Sequence, residues 1–221
     1  MGLFDIFSKK NTATLIASID KLLDIVDHSL IVFRDGVKDY LYDDNAGFDD
    51  NLSSMASLET EAGTMIREIE RALYSRGYLI RSRGDIMRLL ERLDHIITII
   101  SVDLVQFEIE SPKVPTELRK EFVKLAELAS LAVESTIPGT KAYFTQPKDI
   151  AETTSRVYFY EKEAVKLSQS IKRTVFHNMT DELKLSEKFH LRYFALHIED
   201  LAKAAVKVAE QLSVMAIKRS L

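Results

Sequence analysis

The sequence contains no cysteine. That excludes a disulfide framework, a thiolate metal site and a cysteine nucleophile, and it fits a reducing cytoplasm. A long apolar run is also missing. The most apolar stretch, residues 96–105, is interrupted by Thr98, Ser101 and Asp103, and it falls short of the ~20 apolar residues that span a bilayer. The first ten residues, MGLFDIFSKK, have neither the basic start nor the long apolar core of a secretory signal. Met1-Gly2 matches the beginning of a myristoylation signal, but Ile6 stands where that signal carries Ser or Thr. Phe4, Ile6 and Phe7 then have two readings: they cap a helical bundle, or they form an apolar tip that touches a partner or a membrane surface. The net charge is −4, with acids and bases interspersed. Nucleic acid is therefore not an expected partner, since it selects a basic stripe. There is no glycine-rich phosphate loop, no nucleophile elbow and no HExxH.

What is present is helical periodicity, twice over. Residues 58–74 read LETEAGTMIREIERALY and residues 160–176 read YEKEAVKLSQSIKRTVF. An offset of 102 residues places Glu59 on Glu161, Glu61 on Glu163, Ala62 on Ala164, Ile69 on Ile171 and Arg71 on Arg173. The same offset carries Leu89 onto Leu191 and His95-Ile96 onto His197-Ile198. One offset held through two separated helical patterns marks an internal duplication. With 221 residues, 46% hydrophobic and 29% charged, the chain can bury a proper core and is globular, not disordered.

Apolar steps of three and four predict six helices. The first is capped by Asn11 or Thr12 and runs to about Tyr42, with a seam of Leu15, Ile19, Leu22, Val26, Leu30, Phe33 and Val37. Asp20, Asp24 and Asp27 lie opposite that seam, as a solvated face. Residues 43–51, DDNAGFDDN, read as a loop, and the second helix starts near Leu52 or Ser53 and ends about Gly77. Ser82-Arg83-Gly84-Asp85 opens a third helix that reaches about Glu110. It is apolar almost all round, so it is expected at the centre. Asp103 sits inside that apolar run, where a carboxylate is either paired structurally or functional. Pro112 and Pro115 break the chain at its midpoint. A fourth helix follows Pro115 and ends at Pro138-Gly139, residues 141–147 read as a loop, and a fifth helix spans about Asp149 to His177. After residues 178–180 comes the last helix, whose Ala202, Ala204, Ala205 and Ala209 permit close approach of a neighbour. No strand is expected. The expected organisation is one helical domain over residues 1–221, made of a three-helix repeat at 11–111 and another at 115–220.

Few of these residues suggest chemistry by themselves. His95 and His197 are repeat-equivalent, but each reads more readily as a packed helix histidine than as a ligand. Glu187 and His190 form one ExxH, whereas a carboxylate-bridged di-iron bundle needs two, plus a glutamate on each of two further helices.

The phrases LETEAGTMIREIERAL and SRGDIMRLLERLDHIITII resemble the PhoU-like accessory proteins encoded with Pit-type phosphate transporters, which belong to the wider group containing the phosphate-uptake regulator PhoU. The resemblance covers nearly the whole chain, including its short Phe-rich start. It implies an all-α, PhoU-like six-helix elongated bundle. It further implies an acidic pair at i, i+4 in each of four helices, an oxygen-ligand arrangement suited to a hard or borderline cation. Carried over residue by residue, half of that set survives. Glu59 faces Gly63, Asp94 faces Thr98, and Glu161 faces Val165, while Leu196 replaces the acid that would precede Asp200. Glu59, Asp94, Glu161 and Asp200 are thus the candidate metal ligands, for a divalent or trivalent ion such as Fe, Mn, Zn or Mg, with Glu61 or Glu163 as auxiliaries. A multinuclear cluster is not expected from so reduced a set.

The resemblance implies a non-enzymatic accessory or regulatory protein of inorganic phosphate transport. It would act by reversible association with a membrane phosphate transporter or a signalling protein, in the cytoplasm or at the inner face of the cell membrane. A homo-oligomer is a further expectation. Two other classes remain open at this point: a helical interaction module unrelated to phosphate, and a carboxylate-bridged metalloprotein.

Overall fold

The computed structural model describes residues 3–75, 82–145, 150–179 and 183–220, and side chains within 13–74, 82–145, 152–179 and 183–219. The Phe4, Ile6 and Phe7 side chains, Gly77, Pro147 and Thr180 lie outside the described residues. Among those described, every regular element is helical. There are six long helices and one short one: α1 (Leu3–Leu41), α2 (Asn45–Ser75), α3 (Arg83–Glu110), α4 (Thr116–Glu134), α5 (Thr136–Thr145), α6 (Ile150–Arg173) and α7 (Leu185–Ser220). A π-helical turn, Thr174–Asn178, extends α6.

The seams read from the sequence are the buried ones. On α1, Leu15, Ile19, Leu22, Val26, Leu30, Phe33 and Val37 are buried, at intervals of three and four. Asp24 and Asp27 face solvent, and Asp24 pairs with Lys141 of α5 at 3.5 Å. The third helix packs against α1, α2 and α7, but, contrary to the sequence reading, it is not apolar nearly all round, since Arg88, Glu91, His95, Thr98 and Val102 form an exposed stripe. An aromatic row crosses this centre. Phe48 meets Tyr40, Tyr40 meets Phe107, and Phe107 meets Phe194 of α7, with ring centroids 5.3, 4.9 and 4.5 Å apart. The Tyr40 hydroxyl donates to the Pro112 carbonyl at 2.9 Å and ties the midpoint linker to α1. Burial, helped by the charge of Asp43, pushes the Tyr40 phenol up to about 12.

Three boundaries differ from the sequence reading, each for a local reason. The helical backbone of α1 begins at Leu3, so Asn11 and Thr12 lie inside the helix and do not cap it. Residues 43–51 do not form a loop. Asp43 turns the chain with a left-handed φ of 64°, and Asp44 caps α2 by accepting the Gly47 N–H on Oδ1 at 3.1 Å. Phe48 is then buried against Tyr40, and Asn51 donates to Asp39 at 3.0 Å, so the first turns of α2 are anchored to α1. The third difference is at Pro138-Gly139, where the helical path continues. Only Ser135 separates α4 from α5, and Ser135 and Thr136 donate their hydroxyls to the Leu131 and Val133 carbonyls, each at 2.7 Å. Pro138 is the third residue of α5, where a helix has no use for the missing N–H. Residues 141–145 are therefore helical, not loop.

Gly139 lies so close to α6 that a Cβ there would meet Thr153 Cγ2 at 2.5 Å and Thr153 Cβ at 2.9 Å. An added methyl at Gly84 would meet nothing within 4 Å. Gly139→Ala is accordingly expected to destabilise the protein by about 1–3 kcal/mol through overpacking. Gly84→Ala should be neutral or stabilising by up to about 1 kcal/mol. Urea unfolding of the two variants measures this, and equal midpoints would show that α5 does not press on α6.

Candidate functional site at the α3–α7 seam

The third and seventh helices run antiparallel, as four contacts along them show. Glu110 pairs with His190 at 2.7 Å and Asp103 with His197 at 3.3 Å; the Arg92 guanidinium donates to the Lys207 carbonyl; and Asp85 pairs with Lys218 at 2.8 Å. A groove of about 480 Å³ opens along this seam. The third helix contributes His95, Thr98, Ile99, Val102 and Asp103, and α7 contributes His197, Asp200, Lys203, Ala204 and Lys207. The pairs that the 102-residue offset relates, His95 with His197 and Thr98 with Asp200, thus line one groove.

Asp103 is the unusual group here. It is 2% exposed, and neither carboxylate oxygen has a hydrogen-bond partner among protein atoms. His197 Nδ1 stands at ion-pair distance from Oδ1 but without hydrogen-bond alignment. Burial raises the Asp103 pKa above the ordinary carboxylate value, His197 partly offsets that rise, and Asp200 adds to it. His197 moves up as well, because the Asp103 carboxylate beside it favours imidazolium more strongly than burial opposes it. Its ring lies 4.0 Å from that of Tyr193. Just behind the groove, Glu199 is 5% exposed and bridges to Lys172 of α6 at 2.9 Å and to Lys203 at 2.8 Å. Burial alone would raise Glu199, but hydrogen bonds from Lys203, Ser168 and Lys172 outweigh it and hold the carboxyl below its usual value.

The four sequence-nominated carboxylates are distributed over this region unequally. Glu59 of α2 is half-buried and accepts the Ser101 hydroxyl of α3 at 2.8 Å. Asp94 is close enough to feel it: burial, then the Glu59 charge, raises its pKa, while His95 and Arg67 oppose the rise. Asp200 lines the groove and pairs with Lys203 at 2.9 Å. Glu161 is half-buried on α6, and among the described residues no hydrogen bond or ion pair joins it to the other three. The structure therefore brings Glu59 and Asp94 together, and sets Asp200 beside Asp103. Gly63, Thr98, Val165 and Leu196 offer no carboxylate to complete either set. Among the described residues, no group of three or more His, Asp and Glu could hold a metal ion. This donor set does not fit a multinuclear cation centre. The ExxH residues are committed elsewhere, since Glu187 accepts the Lys184 backbone N–H at 2.7 Å and His190 pairs with Glu110.

The Lys172–Glu199–Lys203 network escaped the sequence reading. Glu199 and Lys203 show the i, i+4 spacing of a helix pair, but only the packing of α6 on α7 reveals that Glu199 is buried.

The arrangement of helices is that of the PhoU-like fold. Two solved structures from Shewanella oneidensis MR-1 superimpose on it. One, provisionally named as a PhoU-like phosphate regulatory protein, gives a TM-score of 0.79 at 15% identity, covering 92% of this chain and 99% of that one. The other, a PhoU-like protein, gives 0.76 at 15% identity, covering 92% and 96%. No protein-family model matches the chain. By sequence it is similar to a UPF0111 protein of Thermotoga maritima, 26% identical over 218 residues that cover 96% of this chain and 98% of that protein. A UPF0111 protein of Pyrococcus horikoshii is 25% identical over 205 residues, covering 93% and 96%.

The raised pKa values at the seam have a definite sign. A histidine held above its unfolded value of about 6.5 contributes stability that is fully present below that pH and is lost as pH rises through the folded value. Asp103, also raised, acts in the same direction at lower pH. The stability difference between the natural protein and His197→Gln is expected to shrink as pH rises from about 6 to about 8.5. Thermal unfolding across that range measures it, and a difference that stays constant would mean that the pair carries no linked proton.

Proposed function

We propose that this protein is a non-enzymatic accessory or regulatory protein of inorganic phosphate transport. It works by reversible association with a membrane phosphate transporter of the Pit type, or with a signalling protein, at the cytoplasmic face of the membrane. The observation that carries this reading is the fold match to a protein named for phosphate regulation, which takes in nearly the full length of both chains. Two features accord with association rather than turnover. The sequence carries no glycine-rich phosphate loop, nucleophile elbow or HExxH, and none of the described helices is long and apolar enough to cross a membrane, so a link to a transporter would run through association. The internal repeat read from the sequence accords with the same picture: residues 11–111 and 115–220 are taken as two copies of one three-helix unit, which pack together at the α3–α7 seam among other contacts. Val102, Val105 and Ile109 leave an exposed apolar stripe on α3 that a homo-oligomer would bury.

Affinity capture from native membranes tests the reading directly. A phosphate transporter is expected among the captured proteins at low and at moderate salt, and its absence at both would overturn the link to transport.

A second reading has its own observation in favour. Replacement of half the family's carboxylates by Gly63, Thr98, Val165 and Leu196 is consistent with a helical interaction module that no longer needs a cation. Metal analysis of protein purified without chelator is expected to find no stoichiometric Fe, Mn or Zn. Bound metal that drops in the Glu59→Gln/Glu161→Gln double variant would instead restore a carboxylate metal site.

A further inference from the structure

One surface of the molecule is used by nothing described so far. It lies where the π-helical turn after α6 meets the beginning of α7. A groove of about 520 Å³ there is lined by Lys172, Arg173, Phe176, His177, Phe189 and Arg192, with no carboxylate among them. Phe176 and Phe189 meet edge-on, with ring centroids 5.7 Å apart. The widened turn produces this placement. It closes with the Met179 N–H donating to the Thr174 carbonyl, and it keeps Val175 buried while Phe176 is left only half-buried, at the groove.

Three further facts give the surface a chemistry. Leu185, Phe189 and Tyr193 are 64%, 50% and 39% exposed, and their spacing of four sets them in one stripe along α7. Arg173 and Arg192 beside that stripe have no hydrogen-bond or ion-pair partner among the described residues. Lys172, by contrast, is committed to Glu199. The groove lining itself is basic, with Arg173 and Arg192 beside Lys172 and no carboxylate, in a chain whose net charge is −4. Among the described acids nearby, Glu187 accepts the Lys184 N–H and Glu110 pairs with His190.

We propose that this face, Arg173, Phe176, Leu185, Phe189, Arg192 and Tyr193, docks the protein on an anionic lipid surface. Exposed apolar side chains flanked by guanidinium groups are the composition that enters the headgroup boundary of a charged bilayer. Elsewhere the acidic chain is repelled by such a surface, so the patch also fixes which side faces the membrane. The proposal rests on the membrane-proximal role proposed above and supplies its orientation.

The test is co-sedimentation of the full chain with vesicles of phosphatidylcholine alone and of phosphatidylcholine with phosphatidylglycerol. Binding is expected to the second kind only, and to weaken as salt shortens the Debye length. Arg173→Gln/Arg192→Gln should weaken it on the order of tenfold or more. Phe189→Ser should weaken it as well, with circular dichroism unchanged, because that side chain is half exposed. Equal binding to both vesicle types, or binding indifferent to the arginine pair, would overturn the proposal. So would loss of vesicle binding in the presence of inorganic phosphate at constant ionic strength, or of soluble polyglutamate, because the groove would then be a site for a free anion or an acidic protein. These vesicles contain no transporter, so failure here is separate from failure of the affinity capture.

Discussion

The third helix buries one broad apolar face, from Ile86 to Phe107, and the positions of its neighbours follow from the need to cover it. Its opposite face, with Arg88, Glu91, His95, Thr98 and Val102, stays in solvent. The first two helices cover one side as a hairpin closed by Asp43 and Asp44, and α7 covers the other. Gly36 shows how tightly the first side closes, since a Cβ there would lie 2.9 Å from Leu104 Cδ2. On the second side the contact is Phe107 against Phe194. The cost of that apolar face falls on Asp103, which is buried with His197 alongside and Asp200 near it.

Because Asp103 faces the groove, the fold and the candidate site are one problem. A carboxylate without hydrogen bonds in that position costs stability unless it is protonated or paired. His197 provides the pair, and the helix that carries it also carries Asp200, Lys203 and Lys207 to the same opening. The electrostatics are therefore graded along α7. Charged groups that bridge to α6, such as Glu199, are fully satisfied, and those that face α3 are less so. Such an uneven arrangement is common where a surface binds something, although structural ion pairs shift pKa values too.

Much of this was legible in the sequence, and particular residues show why the remainder was not. Periodicity identified the seams because burial repeats at 3.6 residues, whatever the partner helix is. It also marked Asp103 as anomalous, but it overstated the burial of α3, whose Arg88, Glu91, His95 and Thr98 face solvent. The polar run at 43–51 hid the start of α2, because Asp44 is a capping residue and a loop residue alike, and only the burial of Phe48 decides between them. Pro138 and Gly139 looked like an end because both usually are. In the first turn of α5 one is harmless, and the other makes room for Thr153. The offset of 102 pairs His95 with His197 on paper, but a one-dimensional offset does not say that the two helices face each other across a groove. The cation ligands inferred from resemblance are a different case: ligation depends on convergence in space, which spacing along the chain does not report.

The connections also set the order in which these contacts can be made. The turn between α1 and α2 is three residues long and a single residue parts α4 from α5, so those pairs need little loop-closure entropy. The seam is different: Lys218 finds Asp85 across 133 positions of chain. Contacts of that separation slow folding and are expected late on the pathway, after the local pairs have reduced the search. The same surface that gathers the charged and unsatisfied groups is thus the one whose assembly waits for the rest, and a nascent chain would have to emerge as far as Lys218 before it could exist.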